Sequence, residues 1–200
     1  MATNSVFQRE IAEVRTVELD TVSPIHSAGP VLEMGKWEKN DPFLIMMEDK
    51  FQRGAFDVHP HRGLETVTFV IDGSSQGVVS KTLNHVPVTM VEVNMEPGAT
   101  VSQDLPGSYN GFIYIIKGSG VFGSNKTEAH QGQMMWLGRG NDGELSEIEI
   151  TATEPLRFVL YAGEPVREQI VVHGPFVMNS DREIVEAFRD LREGTFLKHE

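Results

Sequence analysis

Cysteine is absent from the 200 residues. Neither a disulfide scaffold nor thiolate metal chemistry is available, and a reducing compartment suits such a chain. There is no run of lysine or arginine, and 17 basic against 29 acidic side chains leave a formal charge of −12. Phosphate binding needs a clustered basic face, so this balance argues against nucleic acid as a direct partner. No apolar stretch comes near the roughly 20 residues that a membrane-spanning helix requires. Residues 1–6 show none of the basic-then-apolar pattern of a secretion signal. Internal repeats and low-complexity segments are missing too. The expectation is a cytoplasmic protein, or a nuclear one in a eukaryote, with no membrane partner.

Hydrophobic residues make up 40% of the chain, enough for a packed core. Its length suits one large domain or two small ones. Residues 8–18, with Ile11, Val14 and Val17, read as an early strand. Residues 22–40 are punctuated by Pro24, Gly29, Pro30 and Gly35 and read mostly as loop, with His26 facing solvent. The apolar run 43–47 reads as a strand buried on both faces. Further strands are expected over 88–93, 111–116, 134–137, 146–151 and 156–161, with a turn at Glu96-Pro97-Gly98. Lys117-Gly118-Ser119-Gly120 reads as a hairpin returning through Val121-Phe122. Many short strands without helical alternation predict an antiparallel sandwich or barrel. One helix is signalled near the end. Ser180 and Glu183 have capping-box spacing, Ile184, Phe188 and Leu191 line one face, and Gly194 is the stop. Arg182 with Glu186 and Arg189 with Glu193 would pair on its wet side, leaving the stripe to dock on the barrel.

The stretch 56–73 carries the chemistry. His59 and His61 stand two residues apart, and alternation in an extended chain puts both imidazoles on one side. Pro60 fixes its own φ and keeps His59 extended. Neutral imidazole ligates Fe, Zn, Cu or Ni, and two on one face are half a coordination shell. After them Glu65, Val67, Phe69 and Ile71 share one parity of an expected strand, which Asp72-Gly73 would close with a turn.

His59-Pro60-His61-Arg62-Gly63-Leu64-Glu65-Thr66-Val67-Thr68-Phe69 closely resembles the first metal motif of the pirin family, within the cupin superfamily. Further matches to that family are Gln103-Asp104-Leu105-Pro106, Phe112-Ile113-Tyr114 before Gly118, Ala162-Gly163-Glu164-Pro165, and His173-Gly174-Pro175-Phe176-Val177-Met178-Asn179. The resemblance implies an all-β fold, a cupin-type double-stranded β-helix or jelly-roll. Its C-terminal barrel would be complete, over about 77–161, and its N-terminal barrel incomplete, with a short C-terminal helix. The implied domains are 1–73, carrying the two-histidine motif, and 74–200, carrying the barrel and helix. One departure stands out. Pirins complete the metal shell with a His-x-Glu pair, and no histidine here is followed two residues later by glutamate. From Gly73 the chain passes straight to Ser74-Ser75-Gln76-Gly77-Val78-Val79, which resembles the start of the second barrel. Measured against the family, a block spanning the second half of the first barrel and the start of the second is missing.

For the site, the resemblance implies a metal held by His59 and His61. Glu65 is the candidate third ligand, as in the first motif of many other cupins; otherwise it pairs with Arg62 or caps the strand. Arg62 would stand behind the ligands, where a cation lowers a carboxylate's pKa, or would make a surface ion pair. Asp57 is another local oxygen. His85 and His130 match no ligand position and are expected at the surface, and His173 is expected to fix a backbone carbonyl. Where a second cupin barrel would carry its own His-x-His, this chain reads Val101-Ser102-Gln103-Asp104. Fe(II) is the metal expected first, with Ni, Zn, Mn and Cu as alternatives and an empty site as a further one. At the family level the implied activity is quercetin-type (flavonol) 2,3-dioxygenation, with the metal binding the substrate's enolate oxygens and with activity impaired by the missing motif. The alternatives are a non-enzymatic, metal-dependent regulatory or protein-binding module, and an inactive scaffold. The implied partners are a flavonol-like aromatic substrate and a second copy of the chain in a homodimer. That copy would cover strand edges left open at 43–47 and 67–71, unless the N-terminal strands re-pair on the remaining barrel.

Overall fold

A computed structural model describes residues 6–52, 59–72 and 86–196 of the chain. In chain order the elements are β1 (Phe7–Gln8), β2 (Ile11–Thr16), β3 (Asp20–Ser23), β4 (His26–Pro30), α1 (Trp37–Asn40), β5 (Met47–Phe51), β6 (Val88–Met95) and β7 (Thr100–Pro106). They continue with β8 (Asn110–Lys117), β9 (Ser119–Phe122), β10 (Thr127–His130), β11 (Gln133–Leu137), β12 (Leu145–Ala152) and β13 (Leu156–Gly163). Last come β14 (Val171–His173), β15 (Phe176–Met178) and α2 (Asp181–Glu193). No described helix is long and apolar enough to cross a membrane. The chain divides into two compact units, Met1–Phe51 with Val79–Val166, and Gln52–Val78 with Arg167–Glu200. The units interleave in sequence, where the reading of the sequence has a single boundary after residue 73.

The first unit is an all-β, cupin-type sandwich. One sheet runs β2-β11-β8-β13-β6; the other runs β1-β12-β9-β10, with β7 also on β12. The alternation on β12 explains the layering. Ser146, Ile148, Ile150 and Ala152 point inward and are buried, while Glu147 and Glu149 point outward. Such a strand buries one face and wets the other. Between the sheets, Ile113, Ile115, Phe122, Met135, Ile150 and Phe158 belong to one continuous apolar core. On β7 the core-facing parity is Val101, Gln103 and Leu105, so the position of a second-barrel metal motif carries neither an imidazole nor a carboxylate.

The sheet containing β8 is buried on its outer face as well. Phe112, Tyr114 and Trp136 point outward there yet are at most 5% exposed. The cover is the N-terminal arm. The Phe43 ring meets Phe112 and Tyr161 edge-on at 5.5 and 5.9 Å. Lys39 sits over Trp136, and Tyr114 donates its hydroxyl to Glu48. Burial, and then the bond to Glu48, push the Tyr114 phenol well up from its ordinary pKa. At the other end of the sandwich Arg9 is fully buried. Its guanidinium donates to Ser146 Oγ (2.8 Å), Pro106 O (2.8 Å), Gly138 O (2.9 Å) and Tyr109 O (3.1 Å). Burial, with Arg139 nearby, lowers its pKa to about 10.

Several local expectations are corrected. The 22–40 stretch is a hairpin, β3 against β4, followed by the single turn α1. The 43–47 run is not a strand buried on both faces: β5 begins at Met47, Phe43 is an aromatic plug, and Ile45 is 44% exposed. Lys117-Gly118-Ser119-Gly120 is not a hairpin. β8 pairs with β11 and β13, whereas β9 pairs with β10 and β12, so the chain changes sheets at Gly118. Gly118 has φ 78°, and a Cβ there would lie 2.0 Å from the Pro155 carbonyl oxygen. The sandwich also recruits β1 and β2, upstream of the expected span. Residues 64–70 form no strand, and Val67 and Val70 are 66% and 43% exposed. An apolar parity makes a strand only where a neighbour takes its backbone hydrogen bonds.

Candidate metal-binding pair and its anchorage

The second unit holds the histidine motif. Its core is Phe176, Ile184 and Ala187, with Val171, Met178, Phe188 and Phe196 against them. β14 pairs with β15, and α2 rests on both. The helix docks on this hairpin. It begins where the sequence places it. Ser180 Oγ accepts from Glu183 N at 3.4 Å, while the Glu183 carboxylate takes the Ser180 hydroxyl (2.8 Å) and Asn179 N–H (3.2 Å). It ends at Gly194, in the left-handed conformation with φ 68°. Arg182 pairs with Glu186 at 3.0 Å, and Arg189 lies 3.8 Å from Asp190. Leu191, expected on the apolar face, is 40% exposed, and Asp190 takes the inward place.

Asp190 is what the motif reaches for. Arg62 Nη1 donates to Asp190 Oδ2 at 2.9 Å, and Nη2 donates to the Phe196 carbonyl at 2.9 Å. The guanidinium lies 4.2 Å from the centre of the Phe196 ring. Val177 N–H donates to Arg62 O at 3.0 Å. Gly63 follows at φ 80°, so close to β15 that a Cβ would fall 1.6 Å from Val177 O. Arg62 and Gly63 therefore fasten the motif to the hairpin and helix. Asp190 itself escaped the sequence reading. Its one signal is an acidic side chain three residues after Ala187 on the buried face of α2.

On this anchorage His59 and His61 are exposed, ring centres 4.7 Å apart and planes 80° to each other. His61 Nδ1 faces Pro175 O at 3.4 Å. A proton on Nδ1 directed at that carbonyl leaves the Nε2 lone pair for a metal. Two imidazoles on one tetrahedral ion, with nitrogens roughly 2 Å from it, set their ring centres about 5 Å apart. The pair fits half of a shell. A whole shell does not fit, because the described residues hold no group of three or more His, Cys, Asp or Glu placed to share an ion. Glu65 is exposed and is not brought into such a group. Asp57 and His85 lie outside the described residues. His130 is exposed, as expected. The ring of His173 stands edge-on to Phe188 at 5.4 Å. His26 is corrected: it does not face solvent but lies on β4, with Nε2 2.7 Å from Asp49 Oδ1 and its side chain 10% exposed.

The two-sheet, largely antiparallel sandwich of the first unit has the architecture of a cupin-type barrel. Residues 90–197 match the Pirin C-terminal cupin domain family, and the chain belongs to the pirin family. It is 32% identical to a pirin-like protein of Solanum lycopersicum over 179 residues, covering 85% of this chain and 60% of that protein. The crystal structure of GK1651 from Geobacillus kaustophilus superposes with a TM-score of 0.72 at 38% identity, covering 82% of this chain and 99% of that one. A quercetin 2,3-dioxygenase of Acinetobacter baumannii shares the fold at 16% identity and a TM-score of 0.51, covering 91% of this chain and 48% of that one. The chain spans about half the length of the curated relatives it matches.

Proposed function

We propose that the chain is a pirin-type cupin metalloprotein, of quercetin 2,3-dioxygenase type at the family level, whose own metal site is cut back to His59 and His61. Divalent metal, Fe(II) first, binds weakly there. Flavonol oxidation is far below that of a chain with a complete shell, because water fills the positions that protein ligands would hold. Removing even an outer hydrogen-bond partner of a ligand costs about 10–100-fold in metal affinity, so removing ligands costs at least that. The observation that supports this is the exposed imidazole pair, seated on a docked motif, with no group of three or more His, Cys, Asp or Glu placed to share an ion among the described residues. The fold shared with a quercetin 2,3-dioxygenase supports the reaction class. The protein acts in the cytoplasm, on a flavonol-like small molecule, without nucleic acid or membrane.

A second reading, a regulatory module acting through protein contacts, is favoured by the filled sandwich interior. Apolar side chains occupy the space between its sheets. Titration with Fe(II), Ni(II) and Zn(II), alongside quercetin consumption under air, separates the two. Weak binding lost in His59→Ala/His61→Ala with slow turnover supports the first reading. Weak binding without turnover supports the second. Tight binding that survives the double substitution overturns both.

A further inference from the structure

In three places an aspartate or asparagine directly precedes a glycine: Asp72-Gly73, Asn110-Gly111 and Asp142-Gly143. In such a pair the glycine amide nitrogen can close on the side-chain carbonyl carbon, because no Cβ on the glycine hinders the approach. The fold treats the pairs differently. Asn110 is buried on β8 and donates through Nδ2 to Lys39 O and Asp41 O, both at 2.8 Å. Gly111 is paired with Ala162, and a Cβ there would lie 2.8 Å from Tyr161 O. Asp142 and Gly143 instead form the middle of a type II turn, with Gly143 at φ 81° and Glu144 N donating to Asn141 O at 3.3 Å. Both residues are exposed. Gly143 N–H has no hydrogen-bond partner among the described residues, and nothing lies within 4 Å of a Cβ built there. Asp72-Gly73 runs outside the described residues.

We propose that Asp142-Gly143 is a site of spontaneous backbone modification, passing from an aspartyl to an isoaspartyl linkage through a cyclic imide. Gly143 N bonds to Asp142 Cγ, and the amide proton leaves with the carboxyl hydroxyl as water. Water then adds back at one of the two imide carbonyls. Breaking the bond from nitrogen to Cγ restores aspartate. Breaking the original peptide bond leaves the chain running through the side chain, with a free α-carboxylate. No oxidant, reductant or cofactor enters. The isoaspartyl linkage adds one methylene to the backbone of a closely seated turn. Gly107 N donates to Glu144 O at 2.8 Å, Gly140 N donates to Gly107 O at 3.1 Å, and a Cβ on Gly107 would lie 2.6 Å from Asn141 O. The added length draws Glu144 O away from Gly107. The new α-carboxylate is the group that isoaspartate methyltransferases esterify, so an enzyme of that class is the partner this site would take.

The test is to age the full chain in heavy-oxygen water, folded and in denaturant side by side, and to map its peptides by mass spectrometry with electron-transfer fragmentation. The folded chain should gain isoaspartate and one heavy oxygen per reacted molecule at Asp142, while Asn110 reacts only in denaturant. Methyl transfer from S-adenosylmethionine by an isoaspartate methyltransferase should label the same peptide. Asp142→Glu should fold as the parent does by circular dichroism and lose the label. Asp142→Asn should react faster through the same imide, releasing ammonia. In the aged chain the Gly107 amide should lose protection from hydrogen exchange. Reaction at Asp142 in denaturant but not in the folded chain overturns the proposal, because the turn would then hold the peptide away from ring closure. Isoaspartate confined to Asp72 overturns the assignment. Reaction of Asn110 in the folded chain as fast as that of Asp142 overturns the role given to burial. Unchanged protection at Gly107 overturns the structural consequence.

Discussion

Arg62 and Asp190 stand 2.9 Å apart, Nη1 to Oδ2, with Arg62 contributed by the motif and Asp190 by the buried face of α2. The pair is largely withdrawn from water, with side chains 26% and 10% exposed. Arg62→Ala removes a charge-assisted bond to the Asp190 carboxylate, a loss of about 1.5–3 kcal/mol. Hydrogen exchange is the measurement. The Val177 amide and those of α2 should lose protection, while β8 and β13 keep theirs. Arg62→Lys should recover only part, because an ammonium cannot bridge Asp190 and the Phe196 carbonyl as a planar fork does. Unchanged exchange at Val177 would refute the anchoring role.

Gly63→Ala tests the same seat from the backbone side. Its φ of 80° and the 1.6 Å approach of a Cβ to Val177 O leave no room for a methyl group. Strain of about 1–3 kcal/mol comes from the dihedral alone, with the clash in addition. Limited proteolysis should cut the 59–72 stretch faster in the variant, and equal cutting rates would count against it.

Tyr114 gives the sandwich a pH dependence. The folded state raises its pKa above the unfolded value of 10.0, through burial and the hydrogen bond to Glu48. Between those two values the folded state holds a proton that the unfolded state has released. The stabilisation is therefore present in full below about pH 10 and is lost as pH rises beyond it. Denaturant midpoints from pH 8 to 11 should fall more gently in Tyr114→Phe than in the parent. At pH 8 the variant should be about 1–2 kcal/mol less stable, through the unsatisfied Glu48.

Arg9→Met should be the most damaging single change in the sandwich. It removes the guanidinium donors to the buried carbonyls of Tyr109 and Gly138, and one of two donors to that of Pro106, which also accepts from Tyr109 N–H at 3.1 Å. Each buried acceptor left unsatisfied costs about 1–3 kcal/mol. A melting temperature lower by roughly 10 °C is expected by circular dichroism. A shift within about 2 °C would mean that water replaces the guanidinium at little cost.

The barrel strands were legible because their signals are local. β12 writes its inner and outer faces into alternate residues, and Ser180 with Glu183 writes the start of α2 within four positions. The sheet change at Gly118 was not legible. A hairpin and a corner share the same glycine signature, and the Pro155 carbonyl that decides between them lies far along the chain. The parity of Val67, Phe69 and Ile71 predicts a strand that the structure does not form, because no sequence window shows whether a neighbouring strand exists to pair with it. The N-terminal cover was hidden for a similar reason: Pro24, Gly29 and Pro30 punctuate a hairpin as readily as a loop. At the candidate site, the spacing of His59 and His61 announced the pair. Arg62 stands within the motif, but its partner lies 128 positions away, beyond the reach of any local pattern.

That separation has a consequence for synthesis. The histidine motif leaves the ribosome well before the helix and carbonyl that seat Arg62, with strands β6 to β13 of the sandwich made in between. At about 5–20 residues per second, the interval is roughly 6–25 s. During that time the imidazoles are exposed on an unfastened segment, and any metal captured then is held by a chain that has not yet set their spacing. The loop that closes when Arg62 finds Asp190 is also among the longest in the molecule, so the second unit should be the slower of the two to mature.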